Sequence, residues 1–293
     1  MKTTIKPLCF GEPGWQAGSM ETARAVILPL CHEQGASYGR GSGQGPLHIL
    51  EASQQLEALD DQTLTDWTRP GLFTLAPLFP GKKPRQAVER MQEAASTVLE
   101  AGKFLLSLGG DHAISLGPIM AAAQRFADLG VLQIDAHLDL RETWKKSRYN
   151  HACVMRRVVE DAGRPLVQVG IRAFCAEEAA FAAQKGLRPF YAHSIDGLDS
   201  AWINAVVAAL PERVYLTVDL DGLDPSVIPG TGTPEPGGLS FGQVAALIAH
   251  LGRHRHVVAA DINELVKIPG QQVSEYTAAK LGAKIIAFCT PER

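Results

Sequence analysis

Val214-Tyr-Leu-Thr-Val-Asp219-Leu-Asp221-Gly-Leu-Asp224-Pro225 reads as a short apolar strand that ends in a cluster of aspartates. Near-continuous apolar character, without in/out alternation, is what a parallel strand covered on both faces carries. Two other runs end the same way. Phe104–Leu108 leads into Gly109-Gly-Asp-His112, and Val131–Ile134 leads into Asp135-Ala-His137-Leu-Asp139. All three clusters sit at the C-terminal ends of their strands, which is where an open α/β sheet keeps its ligand crevice.

Working outward, the runs Ala25–Leu30, Leu166–Val169, His256–Ala260 and Lys284–Phe288 read as further buried strands. Helical spacing fills the stretches 86–101, 113–127, 151–162, 201–210, 241–252 and 272–282, with Ser240 placed as an N-cap. Strand alternating with helix predicts an α/β fold with helices on both faces of a mostly parallel sheet. No linker, repeat or composition break divides residues 1–293, so one domain is expected. Two Gly/Pro-rich segments, Gly35–Pro46 and Pro225–Gly238, are too long for hairpin turns and are expected as ordered surface loops. The Pro-rich stretch 66–85 is expected to wrap the outside.

Composition narrows the function. A chain of 293 residues and 31.5 kDa with 46% hydrophobic residues can bury one large core. Its 28 basic and 31 acidic residues leave a net charge of -3, and no basic stripe marks a nucleic-acid partner. No apolar stretch is long enough to span a bilayer, and the N-terminus lacks the apolar segment of a signal peptide. The five cysteines are odd in number and widely spaced, forming neither a disulfide framework nor a CxxC knuckle. A reducing, cytoplasmic setting is expected.

The acidic clusters carry the chemistry. Residues at i, i+2 and i+4 of an extended segment share a face, so Asp135, His137 and Asp139 are expected to converge, as are Asp219 and Asp221. Helix capping and loop charge account for Asp224 and for Asp111, but not for a DxHxD and a DxD that both follow apolar strands. Crowded carboxylates are costly without cations, and two divalent ions resolve the conflict better than one. Oxygen-rich ligands with imidazole and no thiolate suit Mn²⁺, with Zn²⁺ or Co²⁺ as alternatives. Such a pair of ions lowers the pKa of a shared water and makes the site hydrolytic. The residues alone leave amide, ester, phosphate and amidine substrates open. The lone histidines His32, His48, His193, His250, His254 and His256 are read as structural.

The motifs Gly109–His112, Asp135–Asp139 and Thr217–Pro225, in that order, resemble the ureohydrolase family of arginases and agmatinases, over about residues 37–288. Ser37-Tyr-Gly-Arg-Gly41 and Pro229-Gly-Thr-Gly-Thr-Pro234 look more like the agmatinase branch. The resemblance implies a three-layer α/β/α domain with a mainly parallel, eight-stranded sheet, and a homotrimer or homohexamer. It implies His112, Asp135, His137, Asp139, Asp219 and Asp221 as ligands of two Mn²⁺ ions. It also implies Glu264 as the carboxylate that binds a guanidinium, and His151 as a proton shuttle. The implied reaction is hydrolysis of a small guanidino substrate to urea and an amine.

Three departures bear on the substrate. Thr217 stands where serine commonly precedes the DxD, and Lys267 where proline is common. Arg141 replaces the asparagine with which arginases help to hold an amino acid, so arginine is disfavoured. Agmatine is the expected substrate, with N1-aminopropylagmatine or a guanidino acid such as 4-guanidinobutyrate as alternatives. Arg141 or Lys267 is a candidate partner for a substrate carboxylate, and Glu142 for a distal ammonium. From other classes, a one-metal deacetylase or a non-catalytic binding protein remain as readings.

Overall fold

A computed structural model describes residues 8–290 except 196, 198 and 199. The first seven residues, part of the N-terminus read above as lacking a signal peptide, lie outside the described residues. Eight strands form one sheet: β1 (Ala25–Leu30), β2 (Leu72–Thr74), β3 (Phe104–Gly109), β4 (Leu129–Ile134), β5 (Leu166–Ile171), β6 (Phe190–Tyr191), β7 (Arg213–Asp219) and β8 (His256–Asn263). Their order is β2-β1-β3-β8-β7-β4-β5-β6, and every pairing is parallel. The strands that carry the DxHxD and DxD motifs, β4 and β7, are therefore direct neighbours at the centre of the sheet.

Helices α1 (Gly45–Ser53), α6 (Ala201–Ala208), α7 (Phe241–His254) and α8 (Val273–Cys289) cover one face. Helices α2 (Pro84–Glu100), α3 (Leu116–Arg125), α4 (Val154–Glu160) and α5 (Ala176–Lys185) cover the other. Each strand feeds both cores. Val214, Leu216 and Val218 of β7 pack on the first face and Tyr215 on the second, which is why the run shows no alternation in hydrophobicity. This is the three-layer α/β/α architecture expected. Ser240 caps α7 as read, accepting from the Gln243 amide at 3.2 Å while Gln243 reaches back to the Ser240 amide.

Several local readings are corrected. Lys284–Phe288 is not a strand; it lies inside α8, which runs on without a break to Cys289. Its five residues are buried or half-buried because α8 packs on both α1 and α7, so the apolar run belongs to a helix core. Stretch 66–85 does more than wrap the outside, since it supplies edge strand β2 and buries Trp67 against Phe10. The end of the Gly35–Pro46 loop is helical, with Pro46 in the first turn of α1, where its missing N–H costs nothing.

Within α8, Lys284 is buried and its Nζ lies 2.6 Å from both Asp60 Oδ2 and Asp61 Oδ1. Asp60 is buried too. Burial pushes its carboxyl up, but Lys284 and the amides of Thr63 and Gln62 outweigh that and hold it below the usual range. Removing the lysine leaves a desolvated carboxylate without its cation. Lys284→Met is expected to lower the stability of the chain by about 3 kcal/mol, read as a shifted denaturation midpoint. A loss below about 1 kcal/mol would show that water reaches Asp60.

Candidate metal centre

The three motif-bearing strands end together. From β3 the chain turns at Gly110, packed so tightly that a Cβ there would lie 1.8 Å from the His32 carbonyl oxygen. It then delivers His112 at the head of a 3-10 turn, with Asp111 as the residue before it. Asp111 stands at the N-cap position but makes no side-chain capping bond and is no exposed loop charge; its fully buried carboxylate accepts from the Gln34 amide instead.

The loop after β4 brings in Asp135, His137 and Asp139, but not by simple strand alternation. Asp139 has φ +54°, so the segment leaves extended geometry at its last acid. Asp219 closes β7 and Asp221 lies in the following 3-10 turn, where the Asp219 carboxylate accepts from the Asp221 amide at 3.0 Å. A capped turn, rather than a shared strand face, makes the DxD converge. Glu264 follows β8 and also holds a left-handed backbone, φ +67°. Of the non-glycine residues with positive φ, two are therefore site carboxylates, the strain expected where a surrounding structure over-determines function.

Two groups of ligand atoms result. His112, Asp135 and Asp219 form one, and Asp135, His137 and Asp221 the other, with the atoms of each group within 4.8 Å of one another. His112 Nδ1 lies 3.0 Å from Asp135, 2.9 Å from Asp139 and 3.4 Å from Asp219, while His137 Nδ1 lies 3.0 Å from Asp221. Asp139 therefore belongs to the same convergence. His112 Nδ1 makes no aligned hydrogen bond to any of these oxygens, although it is fully buried. Donor atoms thus face common points instead of one another, and the charge pattern agrees. Burial, then Asp221 and Asp135, pushes the Asp219 carboxyl well up, and burial with Asp135 pushes Asp139 to about 7. Carboxylates crowded so closely favour a cation between them. The residues fit two divalent ions.

Supporting contacts fix the ligands. His112 Nε2 meets Thr217 Oγ1 at 2.8 Å, and Thr217 in turn donates to Asp261 at 2.6 Å. Nε2 being occupied by that hydroxyl, Nδ1 is the nitrogen that faces the acids. The exchange of serine for Thr217 thus keeps the hydroxyl. Gln133 donates to Asp135 Oδ2 at 2.6 Å, and Thr233 to Asp221 Oδ2 at 3.0 Å. Gln133 and Asp261 were missed from sequence, although a glutamine inside an apolar run and an acid directly after one were the available signals.

A cavity of about 300 Å³ opens over this centre. Glu264 lies on it. Burial, then Asp111, raises its carboxyl well above the usual range, and its Oε1 accepts from the His112 amide at 2.9 Å. Gly232 presses on Glu264 Oε2, leaving only 3.2 Å to where a Cβ would stand. His151 also lines the cavity, with Nε2 2.9 Å from Ser37 Oγ. Burial, aided by His112 and His137, pushes its imidazole down to about 4.

Of Arg141, Glu142 and Lys267, only Arg141 reaches the cavity. Its guanidinium sits 4.6 Å over the Trp144 ring and 3.9 Å from Glu178. Glu142 does not line the cavity; Arg156 and Arg157 hold it at 2.8 and 3.2 Å, so it is no free acceptor for an ammonium. Lys267 also stays out of it and pairs with Glu275 at 3.6 Å. Trp144, Phe174 and Glu178, which sequence reasoning did not single out, line the cavity as well.

Comparison with known proteins agrees with this architecture. Residues 23–289 match the sequence model of the arginase family, and the chain belongs to that family. Within it, the chain is 38% identical to the N(1)-aminopropylagmatine ureohydrolase of Synechocystis, over 92% of this chain and 90% of the relative. It is 33% identical to the agmatinase of Pyrococcus horikoshii, over 89% of this chain and 90% of that one. The crystal structure of the agmatine ureohydrolase of Thermoplasma volcanium superposes with a TM-score of 0.87 at 29% identity, covering 98% and 95% of the two chains. The protein is thus a ureohydrolase-type enzyme with a two-site His/Asp metal cluster. Among the described residues, no helix is long and apolar enough to cross a membrane.

Proposed function

We propose that this chain hydrolyses the guanidinium of N1-aminopropylagmatine, releasing urea and spermidine. The observation that carries this reading over agmatine, the sequence-based expectation, is the ranking of relatives. Four similar proteins, at 33–38% identity, bear the aminopropylagmatine name, against 30–33% for agmatinases. Agmatine stays as the second reading, supported by the likeness to the Thermoplasma volcanium structure.

In this reading His112, Asp135, Asp139 and Asp219 hold one Mn²⁺, and Asp135, His137 and Asp221 the other, Co²⁺ or Zn²⁺ being chemically compatible. When bound, the pair supplies Lewis acidity and a nucleophilic water at neutral pH. The chain does the rest. Glu264 pairs with the planar guanidinium and fixes the direction from which its carbon is approached. Oxygen from water is added to that carbon, the bond to the alkyl nitrogen breaks, and the amine takes up a proton as it leaves. Burial holds the His151 imidazole at about 4, so it is neutral at neutral pH and would carry a proton only in passing, as a relay and not as a resting base. Its Nε2 is held against Ser37 Oγ, which fixes the ring at the cavity wall. The reading also includes one domain over residues 1–293, a homotrimer or homohexamer, and a cytoplasmic setting, the last supported by five free cysteines.

The test is urea release by the Mn²⁺-loaded chain from N1-aminopropylagmatine, agmatine, 4-guanidinobutyrate and arginine. The highest kcat/KM is expected for N1-aminopropylagmatine. A higher value for any of the other three overturns the substrate assignment.

A further inference from the structure

We infer that Phe174, propped by Tyr191, forms the subsite for the aminopropyl arm, an inference that rests on N1-aminopropylagmatine being the substrate. With the guanidinium held at the cavity floor by Glu264, the butyl chain runs outward. The butyl chain ends in a secondary ammonium, where agmatine has its terminal ammonium, and the arm beyond it is three methylenes ending in a second ammonium. That chemistry asks for an apolar surface that also attracts a cation, which is what an aromatic face provides.

Phe174 lines the cavity and is 45% exposed, so its ring is open to a ligand. Its backbone is tied to the metal loop. Arg172 and Ala173 donate to the Ala136 carbonyl at 2.8 and 3.0 Å, and Ala173 bridges to His137. On its other side Cys175 begins α5 as its N-cap. The ring packs at 5.7 Å on Tyr191, which stacks at 5.7 Å on His193. Such a backed ring loses little freedom when a ligand covers it.

The other cavity aromatic is already engaged. Trp144 carries the Arg141 guanidinium at 4.6 Å, and Glu178 offsets that charge. Phe174 is the ring left for a substrate cation. Agmatine ends before the arm begins, so this contact separates the two substrates without touching the reacting atoms.

The experiment measures kcat and KM for N1-aminopropylagmatine and agmatine with the Mn²⁺-loaded full chain, as wild type, Phe174→Ala and Phe174→Leu, with bound metal counted in each. Phe174→Ala is expected to lower the kcat/KM ratio of the longer to the shorter substrate by about tenfold, through KM. Phe174→Leu, which keeps apolar bulk without the ring face, should fall between. A ratio that moves less than about twofold, or equal kcat losses on both substrates, overturns the subsite. Wild-type protein that prefers agmatine would instead overturn the functional reading beneath it.

Discussion

Asp219→Asn is expected to abolish measurable urea release and to weaken divalent-ion binding by more than about 100-fold, the upper end of what losing an outer partner costs. The substitution preserves volume and leaves one oxygen, which can still accept from the Asp221 amide. What it removes is negative charge beside His112 Nδ1, 3.4 Å away, where both side chains are buried. Metal affinity measured by competition with a chelator, alongside turnover at saturating Mn²⁺, checks both halves. Near-normal turnover would mean that Asp219 is not a ligand.

Glu264→Gln is expected to lower kcat/KM by roughly 100-fold, about 3 kcal/mol, with bound metal close to the wild-type content. Glu264 is placed to meet the guanidinium and stands outside both ligand groups. Its left-handed backbone, the His112 amide on Oε1 and Gly232 against Oε2 leave the side chain little room to move. A glutamine amide in that position turns an N–H toward donors, either the His112 amide or the substrate. Steady-state kinetics together with a metal count check the outcome, and loss of metal in this variant would place Glu264 among the ligands instead.

How much of this was legible in the sequence depended on whether one signal or two competed. The central strands β3, β4 and β7 were readable because apolar residues ran on without alternation and polar clusters ended them. The same rule misread Lys284–Phe288, where a lysine among apolar residues was a buried partner of Asp60 inside a long helix. Edge strands β2 and β6 are three and two residues long, too short to show a period. Helix α5 is rich in alanine and buries only Glu178, Phe181 and Ala182, so little periodicity marks it. The acids of the metal centre were found by spacing, yet two of the assumed geometries were wrong in detail. Asp139 and Asp221 converge through a strained residue and a capped turn, which a residue count cannot distinguish from a strand. Arg141 was read from the sequence, but the rest of the cavity wall was illegible because Trp144, Phe174 and Glu178 join it only once β4 and β5 lie side by side.

The central claim is that two divalent ions act together in guanidine hydrolysis. Its most direct test is to titrate metal-depleted chain with Mn²⁺ while following bound ions per chain and urea release from N1-aminopropylagmatine and agmatine. The account predicts that activity on at least one of them climbs to its plateau only as occupancy reaches two ions per chain. Full activity at one ion per chain, or in the depleted protein, would contradict it.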